Sequence, residues 1–262
     1  MEIITVAESK QSKIRTGCAI AASIGGILGF VLFIMYIVVI FKAVSPMFEK
    51  FQCYDNISDI VRALHRYQET HGALPPLYTV DEEGNPLHSW RVLILPFLWE
   101  QKRNDLLYQQ IRLDEPWDSK HNQQFHRKMP RVYKCPSMPR RFNPSCSYSA
   151  IAGLSLTPAT EAGSVIGLKY SDFAQGLNNT LALVEVKVPF CWMDPMADVT
   201  LEDLAQGNKV GSHHPGGSIV VALMDVGMIS LSTTLEGLQE TGRTGAPPKD
   251  VIEQRMALEK NR

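Results

Sequence analysis

Two adjacent histidines, His213 and His214, stand before Pro215, Gly216 and Gly217, and ten residues separate His214 from Asp225. Imidazole and carboxylate at a glycine-rich loop can hold a cation, and a bound cation can activate water for hydrolysis. His213, His214 and Asp225 are therefore the weak candidates for a site, and a metal-dependent hydrolase is the chemistry they would serve. The competing account is conformational. His214 and Pro215 would shape a turn into a strand, and Asp225 would close the next turn on its own backbone. The other histidines are badly spaced for chelation: His65 and His71 are six apart, and His121 and His126 five apart, so neither pair shares a helix face. The chain has no His-Glu-x-x-His, no Gly-x-Ser-x-Gly and no Gly-Lys-Ser/Thr phosphate loop. No nucleophile stands beside a base. The expectation is a non-enzymatic protein with no catalytic residue and no cofactor.

Cysteine chemistry is the next possibility. Cys18 falls in an apolar run, leaving Cys53, Cys135, Cys146 and Cys191. Four cysteines allow two disulfides in three pairings, and the sequence does not choose among them. There is no Cys-x-x-Cys pair, so no structural metal is expected.

The element that must position everything else is the apolar run. Cys18 to Phe41 is twenty-four residues without a charge. As a helix it extends about 36 Å, enough to cross a bilayer with some tilt. A cleaved signal would have a shorter apolar region of about 7–15 residues and a small-residue cleavage site. Here the run continues to Phe41-Lys42, so a retained anchor is expected. Lys10, Lys13 and Arg15 precede the span, against Lys42 and Lys50 after it. The cation bias places the N-terminus in the cytoplasm and exports the large domain. Ala21, Gly25 and Gly29 recur every four residues, a small face on which two such helices could associate in lipid.

Four segments follow: a cytoplasmic N-terminus over 1–17, a transmembrane helix over 18–41, an exported domain over 46–235, and a C-terminal tail over 236–262. Pro46 is expected to interrupt the helical pattern. A second helix is read over about 48–70, because Ile57, Ile60, Val61 and Leu64 form an apolar stripe. Gly72 and Pro75-Pro76 stop it. Trp90 to Trp99 reads as a strand or a short buried helix. Thr180 to Val188 and Ser218 to Val226 read as strands, the second pairing with Ile229 to Thr233 across Val226-Gly227. From Thr241 onward a linker and a short polar helix are expected. With 262 residues, 45% hydrophobic, 20% charged and a net charge of -1, the chain is globular rather than disordered. The balanced charge argues against a nucleic-acid partner.

The order of short blocks carries a resemblance. Cys53-Tyr-Asp-Asn56, then Ala63-Leu-His65-Arg-Tyr67 through Thr70-His71-Gly72 to Pro75-Pro76, begins the series. Ser89-Trp90-Arg91, Pro116-Trp117-Asp118-Ser119 with Asn122, Cys135-Pro136-Ser137 and Ser147-Tyr148 continue it. Gly176-Leu-Asn178-Asn179-Thr180 through Glu185, Trp192-Met-Asp-Pro195 and His214-Pro215-Gly216-Gly217 complete it. The set resembles the bacterial domain-of-unknown-function family fifteen fifty-nine, sometimes labelled solute-binding-like. Its members have a prepilin-like N-terminus and a tail of His, nine residues, then Asp-Gly. This chain departs from that pattern in three places. Cys18-Ala-Ile-Ala-Ala22 directly follows Gly17 and lacks the family's Glu, the tail spacing is ten, and Gln175 precedes Gly176.

The resemblance implies an α+β, pilin-like fold: an N-terminal transmembrane helix continues into a helix packed on a mostly antiparallel sheet. The implied role is a membrane-anchored structural or interaction protein of the cell envelope, with the bilayer and other copies of itself as partners. A tethered solute-binding domain of unknown ligand is the alternative. Trp90, Trp117 and Trp192 are expected to pack in the core or against turns rather than cage a ligand.

Overall fold

The computed structural model describes residues 2–99, 101–142, 144–225 and 230–260, and their side chains apart from 2–29, 101–102, 140 and 230–231. Helix α1 runs from Glu2 to His71, and the chain divides into compact units at Met1–Phe48 and Glu49–Arg262. Pro46 lies inside α1, so the expected interruption does not occur. A proline withdraws one N–H donor and crowds the preceding turn, yet α1 continues through Pro46.

In the first unit every residue from Phe30 to Phe41 is a large apolar side chain and exposed, from 44% at Ile34 to 72% at Phe41. The helix is long and apolar enough to cross a membrane. The side chains of the small-residue face (Ala21, Gly25, Gly29) and of Lys10, Lys13, Arg15 and Cys18 lie outside those described.

In the second unit α1 becomes one-sided. Cys53, Ile57, Ile60, Val61 and Leu64 are buried to 1% exposure or less, at the three- and four-residue spacing that keeps them on one face. Each apolar side chain so buried contributes roughly 1.5–3 kcal/mol. Gly72 ends the helix at φ +77°, its N–H reaching the Gln68 carbonyl at 2.8 Å, a left-handed conformation that glycine adopts freely.

The stripe packs into a core with a five-stranded sheet. Its strands are β3 (Cys146–Ala152), β4 (Leu181–Phe190), β5 (Val199–Thr200), β6 (Ile219–Leu223) and β7 (Ser230–Thr233), in the order β5-β3-β4-β6-β7. All neighbours are antiparallel except β3 and β5. A separate hairpin pairs β1 (Tyr78–Val80) with β2 (Pro86–Ser89). The fold is α+β, with a long N-terminal apolar helix ahead of a mostly antiparallel sheet, a layout consistent with pilins. The expected strands are present, and β6 pairs with β7 with Val221 opposite Leu231. The turn at Val226-Gly227 lies outside the described residues.

Period-two alternation fills both sides of the sheet. Val220 and Ala222 of β6 join the core that contains Ile57 and Leu64. Ile219, Val221 and Leu223 face the other way, onto Leu204, Leu238 and Val251. Those last three belong to helices α4 (Leu201–Gln206), α5 (Leu235–Thr244) and α6 (Lys249–Lys260). The tail over 236–262 holds the expected short helix after Thr241, as α6, and also most of α5; Leu238 and Val251 of these helices are fully buried. Helix α6 also closes the sheet's end. The Gln254 side chain accepts from the Ser232 N–H (3.3 Å) and donates to the Ser232 carbonyl (2.7 Å), as a paired strand would.

Trp90 to Trp99 resolves as helix α2 (Trp90–Leu93) and a 3₁₀ turn at Leu95–Phe97. Ser89 caps α2 by accepting from the Arg91 N–H. Arg91 is wholly buried. Its guanidinium grips Asp198 in two parallel contacts of 2.6 and 3.0 Å and donates to the Tyr148 carbonyl (3.0 Å) and Ser89 Oγ (2.9 Å). Asp198 also accepts from the Trp90 indole, Ser149 Oγ and the Ala150 N–H. Trp90 and Trp192 are fully buried, and the Trp192 indole donates to the His126 carbonyl at 3.2 Å. Trp117 stacks on His126 with ring centroids 5.1 Å apart. All three tryptophans pack against core or turns, as expected.

Removing one partner of a buried ion pair strands the other, at a cost of about 3–5 kcal/mol. Asp198→Ala is therefore expected to lose about that much stability in denaturant titration of the detergent-solubilised chain. The double variant Arg91→Met, Asp198→Leu should recover most of it. A loss in Asp198→Ala below about 1 kcal/mol would show that the pair is not the lock described.

Candidate functional site

Four elements meet at one buried point. Cys53 comes from the stripe of α1, Cys135 from the loop before β3, Glu185 from the middle of β4, and His214 from the loop leading to β6. Each is delivered by local structure. Cys53 occupies the stripe position one turn before Ile57. Glu185 sits between Val184 and Val186, which belong to the opposite face of the sheet, so its carboxylate is turned to the α1 side. The Cys135 N–H is held by Ser147 Oγ at 2.9 Å. The His214 N–H is held by Ser212 Oγ at 2.9 Å.

One sulfur, nitrogen or oxygen from each residue lies within 4.8 Å of the other three. The two sulfurs are 2.9 Å apart, well beyond the bond length of about 2.05 Å in a disulfide, and both thiols are free. His214 Nε2 is 3.6 Å from Cys135 Sγ and 3.4 Å from Glu185 Oε1. Exposure is 0% at Cys53 and Cys135, 1% at Glu185 and 4% at His214. Glu185 Oε2 accepts from the Val220 N–H at 3.3 Å, whereas Oε1 has no hydrogen-bond partner. Tyr148 donates its hydroxyl to Cys53 Sγ at 3.1 Å, and Asn56 reaches both that hydroxyl (3.4 Å) and the Lys134 carbonyl (3.0 Å).

The electrostatics are those of acidic groups crowded away from water. Burial, reinforced by the neighbouring Cys53 thiol, pushes the Glu185 carboxyl up to about 7. The contact with Cys53, together with burial, pushes the Cys135 thiol far up. The same contact pulls Cys53 down, against burial and with help from His214 and Tyr148. His214 is lowered by burial, but the Cys53 thiol and the Glu185 carboxylate outweigh it and its net direction is up. A cluster of this kind can share protons or share a cation.

Of the three candidate site residues His213, His214 and Asp225, only His214 joins this cluster. His213 turns outward: its Nε2 lies 3.2 Å from the Lys187 carbonyl, and its ring rests against Phe142. Asp225 meets other partners, its carbonyl taking the His65 Nε2 contact at 3.3 Å and its carboxylate lying 3.8 Å from Arg255. The expectation of no metal site rested on the missing Cys-x-x-Cys pair, yet donors converge without one. Cys53, Cys135 and Glu185 escaped that reading because the cysteines are 82 residues apart and the carboxylate is on a third element. A signal was present: Glu185 is an acid inside the apolar run Leu181-Ala-Leu-Val-Glu185-Val, where an unpaired charge is costly. Among the described residues, none of the four donors lines an open groove, although one groove lined by Gln52, Asn56, Lys134 and Pro136 runs beside the cluster. Another, of about 540 Å³, is lined by residues including Thr79, Asp81, Leu93 and Asp114, and by none of the four donors.

The model of a family described as protein of unknown function (DUF1559) matches residues 50–189, just over half of the chain. The match contains Cys53, Cys135 and Glu185, and His214 follows it. Neither the curated proteins nor the solved structures yield a match.

Buried thiols react slowly, whatever their acidity. Brief alkylation of the folded chain is expected to label half-buried Cys191 while sparing Cys53, Cys135 and Cys146, with peptide mass spectrometry as the readout. Early labelling of Cys53 would mean that the cluster is open to solvent.

Proposed function

The chain belongs to the DUF1559 family, and on that premise we propose that it is a membrane-anchored, non-enzymatic structural or interaction protein of the bacterial cell envelope, built on a pilin-like plan. One observation carries the reading. Phe30 to Phe41 presents twelve consecutive large apolar side chains with nothing covering them, whereas the same helix buries its stripe within the second unit. Water does not tolerate such a run, and hydrocarbon does. Helix α1 therefore has two solvents along its length: lipid for the first unit, and the domain core for the second.

The cation bias ahead of the span supports a cytoplasmic N-terminus and an exported domain. The Ala21, Gly25 and Gly29 face supports lateral pairing of anchors. The absence of an acid early in the span favours a permanent anchor over a subunit that swaps neighbours in a filament. Such an acid would have to neutralise a neighbouring N-terminal amine in lipid. A non-enzymatic role is supported by a donor cluster sealed from any substrate.

The full chain is expected to stay with membranes through an alkaline wash, while a chain starting at Glu49 is recovered in the aqueous fraction. In intact cells with a permeable outer layer, added protease should degrade the region after residue 50. Protection of that region, or release of the uncut chain without detergent, would reverse the topology or the anchoring respectively. Crosslinking within membranes should give dimers that weaken in a Gly25→Leu, Gly29→Leu variant, and unchanged ladders would remove the pairing face.

A further inference from the structure

We propose that Cys53, Cys135, Glu185 and His214 form a structural site for one divalent transition-metal ion of the zinc class, which staples α1 to the sheet. This goes beyond the envelope role and does not depend on it. Three observations carry it.

The first is donor chemistry and size. Two sulfurs, one imidazole nitrogen and one carboxylate oxygen within 4.8 Å of one another make the mixed, borderline-soft set that zinc takes in four-coordinate sites. With bonds of about 2.0–2.3 Å, tetrahedral donors stand about 3.3–3.8 Å apart. The His214 to Cys135 and His214 to Glu185 separations, 3.6 and 3.4 Å, already have that value, and the sulfurs at 2.9 Å need to part by under about 1 Å.

The second is an orphaned oxygen. Glu185 is 1% exposed, and its Oε1, 3.4 Å from His214 Nε2, accepts no hydrogen bond. A buried carboxylate oxygen without a partner is costly, and a cation at the centre of the four donors would satisfy it.

The third is the shell behind the histidine. Ser137 Oγ donates to Glu49 Oε2 at 2.7 Å, so its only proton is committed. The 2.9 Å contact between Ser137 Oγ and His214 Nδ1 must then be an Nδ1–H donating to oxygen. That fixes the tautomer and leaves the Nε2 lone pair facing the thiols. A carboxylate–hydroxyl–imidazole chain of this kind is the outer support that metal-bound histidines have. Tyr148, donating to Cys53 Sγ, does the same for a thiolate.

The site's role follows from its closure. Catalytic zinc keeps one position open for water, whereas structural zinc has four protein donors. Here all four are buried and come from four different elements. On binding, each thiol that becomes a thiolate releases its proton to solvent and no electron moves, so a redox-inert ion suffices.

The full-length chain in detergent, purified under reducing conditions, is expected to carry or take up about one zinc per molecule by elemental analysis. Cobalt(II) in its place should give thiolate-to-cobalt charge-transfer absorption. Cys53→Ser and His214→Gln should lose both the zinc and that absorption, and Cys146→Ser should lose neither. Ser137→Ala, which touches no donor sulfur, should keep the circular dichroism spectrum of the parent while binding zinc about 10–100-fold more weakly. A reduced, folded chain that takes up no zinc would overturn the proposal. So would a Cys53–Cys135 disulfide in protein isolated from cells, or Ser137→Ala binding zinc as tightly as the parent.

Discussion

A guanidinium cannot give up its charge in a protein interior, and Arg91 is held where water never reaches it. The fold is organised around that constraint. Asp198 must arrive at one end of the guanidinium, and the Tyr148 carbonyl at the other. This joins the corner after the β1–β2 hairpin to strand β3 and to the segment opening β5. The Ser149 hydroxyl and the Ala150 N–H complete the carboxylate's shell. An ion pair of this kind adds little net stability over an apolar replacement, because desolvation consumes the attraction. Its effect is on register. Tyr148, whose carbonyl Arg91 fixes, carries on its ring the hydroxyl that touches Cys53, so one side chain's placement reaches the donor cluster through a single residue of β3.

The parts of this architecture that the sequence disclosed are those governed by near neighbours. An uncharged run of twenty-four residues, a stripe at Ile57, Ile60, Val61 and Leu64, and strands after Asn178-Asn179 and Gly216-Gly217 are all patterns over a few residues. Pro46 was misleading because the loss of one N–H donor did not end the helix, which runs on from Glu2 to His71. The tail was misleading in another way. Leu238 and Val251 are the apolar residues of α5 and α6 that are fully buried, whereas Leu235, Met256 and Leu258 of the same helices are exposed, so composition alone does not mark which residues cover the far face of the sheet.

The donor cluster is the extreme case. Its cysteines are separated by 82 residues, and no spacing rule brings them together; only the antiparallel path of β3 and β4 beneath α1 does. His214 was visible as a histidine near glycines, but its partners were sought in the same loop, at His213 and Asp225, rather than across the sheet. Glu185 was the more telling residue. A carboxylate flanked by Val184 and Val186 in a strand buried on both faces has to be answered by something, and the family blocks around Cys53, Cys135 and His214 are where the answer lies.

The treatment of the sheet's margins bears on how copies of this protein can touch one another. At one side β5 is only two residues long. At the other, Gln254 occupies both the donor and the acceptor of Ser232 in β7, mimicking the rung that an incoming strand would supply. Chains that polymerise by lending strands need a vacant margin, and here one is too brief and the other is already taken. Among the described residues, then, strand addition to the five-stranded sheet is hindered at both of its margins.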